Sequence, residues 1–255
     1  FSGENSSSYA NSITLDEEGN IYTAGYFNGT VDFDPGAGTY ELTSNNNYAF
    51  ILKLNSNGEF VFAKPLESTN NGQSQINSIT LDGEGNIYTT GYFNNTVDFD
   101  LGEGIHALTS MYSSSVFISK LDSDGNFVFA RPFENGENGS SGASSITLDN
   151  QGNIYTTGYF SGTVDFDPSE GIQNLTSAHN FSTTFVSKLD GAGNFIFAKQ
   201  FENEENSGSD AISITLDDQG NIYTTGSFGG TIDFDPGKGT QSLTSINYSA
   251  FISKL

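Results

Sequence analysis

The chain has no cysteine, no tryptophan, one methionine and five prolines in 255 residues. Without cysteine there is no disulfide, no thiolate metal site and no cysteine nucleophile, and the redox compartment stays open. Basic residues are scarce: eight Lys and Arg against 31 Asp and Glu leave a net charge of −23. Nucleic acid and anionic lipid are bound through Lys and Arg that neutralise phosphates, so this charge argues against both as partners. It suits cations or basic partners, and equally it suits plain solubility. No apolar run approaches the ~20 residues that cross a bilayer, so membrane insertion is not expected.

What is plentiful is glycine (30), phenylalanine (22) and tyrosine (12), together with Asn, Ser and Thr, in a chain only 15% charged. Such a composition disfavours helices and favours short strands joined by tight turns around an aromatic core. The order of these residues is repetitive. Ser-Ile-Thr-Leu-Asp occurs at Ser12–Asp16, Ser78–Asp82, Ser145–Asp149 and Ser213–Asp217, and the isoleucines lie 66, 67 and 68 residues apart. Each copy continues through Gly-Asn-Ile-Tyr, an Asp-Phe-Asp triplet, Leu-Thr-Ser and Phe-x-x-Lys-Leu, the last ending at Leu54, Leu121, Leu189 and Leu255. A closing segment, Phe60–Lys64, Phe127–Arg131 and Phe195–Lys199, occurs three times. A fixed period of this length marks a repeat architecture.

Within a repeat, apolar residues alternate over short stretches bounded by turn signals, which is the period of strands. The first copy predicts strands at Asn11–Asp16, Asn20–Phe27, Ala49–Leu54 and Glu59–Lys64. Asp-x-x-Gly links the first two, as in Asp16–Gly19, and a similar turn, Asn55–Gly58, links the last two. Asp accepts from the backbone two residues on and Gly supplies a left-handed residue, so these carboxylates read as turn formers. Four antiparallel strands per repeat is the blade of a β-propeller, with a β-solenoid as the rival. The expectation is one all-β domain over 1–255, four blades of about 67 residues each, at about 11–66, 77–133, 144–201 and 212–255.

Asp-x-x-Gly-Asn-Ile-Tyr-Thr-Thr-Gly-Tyr-Phe, Gly-Thr-Val-Asp-Phe-Asp-Pro-Gly, Leu-Thr-Ser and Phe-Ile-Ser-Lys-Leu-Asp together resemble the bacterial SBBP repeats, or seven-bladed β-propeller repeats. The resemblance spans all four copies. It implies a propeller in a secreted or cell-surface bacterial protein, with no catalytic residues to carry over. Two departures stand out: Phe62, Phe129 and Phe197 replace a common Trp, and there are four repeats where the family name implies seven. Four blades suffice for a closed ring, which is the expectation here.

Phe1 is not an initiator Met, so the chain reads as a processed or excised part of a longer protein, and a removed secretory signal would explain its start. Phe1–Asn5 matches Phe133–Glu137, which follows a fourth strand, while Leu255 precedes where another would stand. The last blade is therefore expected to lack its outer strand and to expose the edge of Ala250–Leu255. Either the chain simply stops there, or another copy or a flanking segment supplies the strand.

Few residues suggest chemistry. His106 and His179 do not recur at matching positions and read as surface histidines rather than members of a triad. The recurrent acidic group is the triplet, with Asp32 and Asp34, Asp98 and Asp100, Asp165 and Asp167, and Asp233 and Asp235 on one strand face. With nearby loop carbonyls these eight carboxylates are candidate calcium ligands, since calcium takes 6 to 8 oxygens; the alternative is that they cap the loop. Lys53, Lys120, Lys188 and Lys254 share one repeat position, and Lys64, Arg131 and Lys199 another, which suggests charge pairing between blades. The segments Glu67–Gln75, Glu134–Gly142 and Glu202–Ser209 vary most and are the candidate partner-facing loops.

The sequence thus points to a non-enzymatic extracellular or cell-surface module for structural assembly or adhesion, whose partners are other copies or flanking segments. A calcium-assisted module that binds a glycan or surface protein is the alternative, and a glycoside hydrolase using paired Asp a remote one.

Overall fold

A computed structural model of the chain describes residues 6–178 and 181–255, the side chain of Asn70 excepted. His179 and the Phe1–Asn5 segment lie outside the described residues. The chain divides into two compact units, Phe1–Met111 with Phe117–Ala130, and Tyr112–Val116 with Arg131–Leu255.

Unit 1 holds two four-stranded antiparallel sheets. The first runs in the order β1 (Ser7–Leu15), β2 (Ile21–Asp32), β3 (Glu41–Leu54), β4 (Phe60–Pro65), and the second β5 (Ser68–Leu81), β6 (Ile87–Asp98), β7 (Ala107–Leu121), β8 (Phe127–Pro132). In unit 2, β9 (Glu134–Asn135) precedes β10 (Ser140–Leu148), β11 (Ile154–Ser161), β12 (Thr163–Asp165) and β13 (Asn174–Thr176). β14 (Thr183–Leu189) and β15 (Phe195–Gln200) complete that repeat, with order β10-β11-β14-β15 and a small sheet β13-β12-β9 at its tip. The last repeat has β16 (Glu202–Asn203) and β17 (Gly208–Leu216) on one side of β18 (Ile222–Asp233) and β19 (Ser242–Lys254) on the other. All four repeats are therefore blade-like antiparallel sheets, and no α-helix occurs among the described residues.

The strands run further than alternation alone predicts. β2 passes through a bulge at Phe27/Gly29 and continues to Asp32, while β3 starts at Glu41, so that Gly-Thr-Val-Asp pairs with Leu-Thr-Ser. The bulge needs a left-handed residue, and Gly29, Asn95, Gly162 and Gly230 supply it with φ of 78°, 53°, 69° and 79°. The candidate partner-facing loops are largely paired strand: β5 begins at Ser68, β9 and β10 pair with β12 and β11, and β16 and β17 pair with β18. Side-chain amides there find backbone partners, with Asn135 donating to the Ser114 carbonyl at 2.7 Å and Asn203 to the Ser182 carbonyl at 2.8 Å.

Each sheet is packed around phenylalanines at fixed repeat positions: Phe27, Phe33 and Phe50; Phe93, Phe99 and Phe117; Phe160, Phe166 and Phe185; Phe228, Phe234 and Phe251. Ring centroids within these sets lie 4.8–6.4 Å apart, edge-on or tilted, as ring quadrupoles prefer. The residue after a fourth strand plugs into the following set. Leu66 is buried in the cluster of Phe93, Phe99 and Phe117, Phe133 packs 4.8 Å from Phe166, and Phe201 packs 5.0 Å from Phe234.

A second bulge lies in the first strand of every blade, at Ala10/Ser12, Ile76/Ser78, Ala143/Ser145 and Ala211/Ser213. There the chain presses on the glycine of the second strand: a Cβ on Gly25, Gly91, Gly158 or Gly226 would sit 1.8–2.1 Å from a carbonyl oxygen of the first strand. Backbone cannot yield as a flexible side chain can. Gly91→Ala is accordingly expected to destabilise the protein by roughly 2–4 kcal/mol, whereas Gly83→Ala, in open space, stays within about 0.5 kcal/mol. Urea unfolding of both variants checks this, and equal midpoints would refute it.

Candidate functional site

The Asp-x-x-Gly turns are the most elaborate polar groups of the blade. Asp16 accepts the backbone N–H of Asn20 at 2.7 Å on one oxygen, and on the other the Asn20 amide at 2.8 Å and the Tyr22 hydroxyl at 3.2 Å. Asp82 with Asn86 and Tyr88, Asp149 with Asn153 and Tyr155, and Asp217 with Asn221 and Tyr223 repeat the arrangement. Gly19, Gly85, Gly152 and Gly220 close the turns at φ near 80°. Asn at the fourth position after Asp and Tyr at the sixth recur in the sequence, and that spacing was the available signal for a network the turn reading alone had missed.

Over each tyrosine ring stands a lysine: Lys53 at 4.9 Å from the Tyr22 centroid, Lys120 at 4.8 Å from Tyr88, Lys188 at 4.7 Å from Tyr155 and Lys254 at 5.2 Å from Tyr223. Lys120 and Lys188 also approach Asp82 and Asp149 of their own blade at 3.8 and 3.4 Å. These two pairs form within a blade, because the third strand lies beside the second and brings the lysine over its ring. Between blades, Lys64 donates to the Gly125 carbonyl at 2.6 Å and its charge helps hold the Asp122 carboxyl below the usual range, as the expected pairing between blades requires, while Lys53 donates to the Ser123 carbonyl at 3.4 Å.

These turns line a cleft in each unit. In unit 1 it measures about 500 Å³ and is lined by Asp16, Glu17, Glu18, Asp82 and Glu84 beside Lys53. In unit 2 the equivalent cleft of about 380 Å³ carries Asp149, Asp217 and Asp218 beside Lys188. An excess of carboxylates over ammonium leaves both clefts anionic, hostile to phosphate and open to cationic solutes.

The Asp-Phe-Asp triplets do a separate job. Asp32 accepts the N–H groups of Asp34 at 3.1 Å and Tyr40 at 2.8 Å, and Asp34 accepts that of Gly36 at 2.7 Å. The same bonds hold Asp98 and Asp100, Asp165 and Asp167, and Asp233 and Asp235. Phe33, Phe99, Phe166 and Phe234 point inward as the alternation predicts. Among the described residues no three His, Asp or Glu side chains gather into a metal-binding group. The eight candidate calcium ligands are placed as loop caps. His106 is no free surface group, since its ring packs 4.6 Å from that of Phe127.

Hydrogen bonding governs the ionisation of the turn carboxylates. Burial pushes the Asp82 and Asp149 carboxyls up, but bonds from Asn86, Glu84 and Tyr88 at Asp82, and bonds from Asn153 and Gln151 with the Lys188 charge at Asp149, outweigh it and hold both below the usual range. At Asp217 the Asn221 side-chain bond leads and brings the pKa to about 2. A group depressed in the folded state stabilises above its unfolded pKa of about 3.9 and loses that contribution as pH falls through the folded value. Asp217→Asn is therefore expected to melt a few degrees below the parent at pH 7 and to approach it between about pH 4 and 2. A gap that stays constant over that window in circular-dichroism melts would refute the assignment. Because the triplet carboxylates are occupied by backbone donors, chelation followed by millimolar calcium is expected to leave the melting temperature unchanged, and a clear rise on calcium addition would show that they hold the ion.

Residues 1–31 and 68–96 match the family model described as SBBP, Beta-propeller repeat. No curated protein matches the chain. A solved structure of a protein of unknown function from Dyadobacter fermentans DSM 18053 is 13% identical, aligned over 95% of this chain and 69% of its own, with a TM-score of 0.49. The two matched stretches carry the first-strand bulge, the Asp-x-x-Gly-Asn turn and the glycine beneath that bulge in two successive blades. Residues 1–31 and 68–96 thus carry the SBBP beta-propeller repeat.

Proposed function

We propose that this chain is a non-enzymatic blade module of an extracellular or cell-surface protein, working in structural assembly or adhesion through copies of itself or flanking segments of its parent. The observation that carries the reading is where the recurrent polar residues go. Asp16, Asn20, Tyr22 and Lys53 and their counterparts hold a turn, and the triplets cap a loop. Residues repeated in every blade thus serve the scaffold. The extracellular setting follows the resemblance to secreted SBBP proteins.

The edge of β19 gives the assembly reading a physical handle. β3, β7 and β14 are each flanked by a fourth strand, whereas β19 pairs with β18 alone among the described residues. An unpaired edge is a template for a strand from elsewhere. Light scattering of residues 1–255 is expected to show a mass that climbs with concentration, and a fall on adding a peptide spanning Gly193–Lys199 would assign that assembly to the β19 edge. A mass steady at 27.3 kDa would count against assembly.

A further inference from the structure

Each unit contains one seam between consecutive sheets, and the two seams use the same repeat positions. In unit 1, Ile51 on β3 and Ile79 on β5 are buried in one cluster; in unit 2, Val186 on β14 and Ile214 on β17 are buried in another. A hydrogen bond accompanies each seam: the Ile79 N–H donates to the Ser12 hydroxyl at 3.2 Å, and the Ile214 N–H to the Ser145 hydroxyl at 3.3 Å. The third-strand Ile or Val and first-strand Ser of one blade thus meet the first-strand Ile of the next.

The first and last sheets present the two halves of this seam uncovered. Ile13, counterpart of Ile79 and Ile214, is 68% exposed against 5% for both of those, and Ala10 and Leu15 beside it are exposed too. Ile252, counterpart of Ile51 and Val186, is 83% exposed against 1% for each, with Ala250 and Ser213 also exposed. Among the described residues of its own unit, none covers either row.

We infer that the Ile252 face of one molecule docks on the Ile13 face of a second copy, head to tail, rebuilding the seam found inside each unit; this rests on the assembly reading above. A second copy is the occupant because it offers the chemistry each face already meets internally, with Ile252 against Ile13 and the Ser213 hydroxyl in place of Ser12 or Ser145. The two faces differ, so the contact is heterologous and leaves a free face at each end of a dimer, which allows growth. The acidic turns Glu17–Glu18 and Asp217–Asp218 come together at such a junction, as their counterparts do around the clefts, so docking strengthens with salt.

The test is light scattering of the full chain in about 0.5 M NaCl, with Ile13→Asp and Ile252→Asp as partners. Both positions are exposed, so both variants are expected to keep the parent's circular-dichroism spectrum. Each alone stays at 27.3 kDa or associates at least roughly tenfold more weakly than the parent. Mixed, they form an equimolar dimer and stop there, because one keeps only the Ile252 face and the other only the Ile13 face. Variants that associate like the parent overturn the inference alone and leave assembly to the β19 edge. A parent that stays monomeric throughout, as four blades closed on themselves would, overturns the inference and the assembly reading together.

Discussion

A four-stranded sheet with apolar side chains on both faces cannot bury them by itself, and that constraint organises this chain. Ile79 and Ile214 are covered because the preceding sheet lies against them, and Ile51 and Val186 because the following one does. Burying one such side chain is worth about 1.5–3 kcal/mol, so the seam between blades is a main source of stability in each unit. The residue after the fourth strand, Leu66, Phe133 or Phe201, adds a second anchor by entering the aromatic set of the next blade. Where a neighbouring sheet is absent, at Ile13 and Ile252, the same side chains meet solvent.

The polar residues solve a different problem, namely how to hold hairpins at both ends of a sheet without helices or disulfides. At one end, Asp16 and its counterparts join backbone, Asn amide and Tyr hydroxyl at one carboxylate, and the lysine over the tyrosine ring balances part of the charge. At the other, Asp32 and its counterparts gather the N–H groups of an eight-residue hairpin loop that would otherwise lack partners. At Asp16 and Asp32 these bonds favour the ionised carboxylate. Part of the large negative charge is therefore structural, and the anionic clefts are a by-product of turns stacked side by side.

Much of this was legible in the residues. The period, the four strands of a blade and the Asp-x-x-Gly turns follow from alternation and turn chemistry, both local properties. The longer reach of β2 and β3 was written in Gly-Thr-Val-Asp and Leu-Thr-Ser, but only their cross-strand register shows them paired. The lysine positions were equally visible, yet their partners were not, since strand order decides that Lys53 lies over Tyr22 rather than on an acid of the next blade. His106 illustrates the same limit, because its neighbour Phe127 is remote along the chain.

By itself the sequence determined an all-β repeat protein of four near-identical units, since hydrophobic period and turn residues act over a few positions and need no distant partner. Tertiary structure alone decided which members of each repeated set are buried. Ile13, Ile79 and Ile214 sit in the same pentapeptide, and only the first is open to water. Burial depends on whether another sheet lies against a residue, which is a property of packing and not of the local chain.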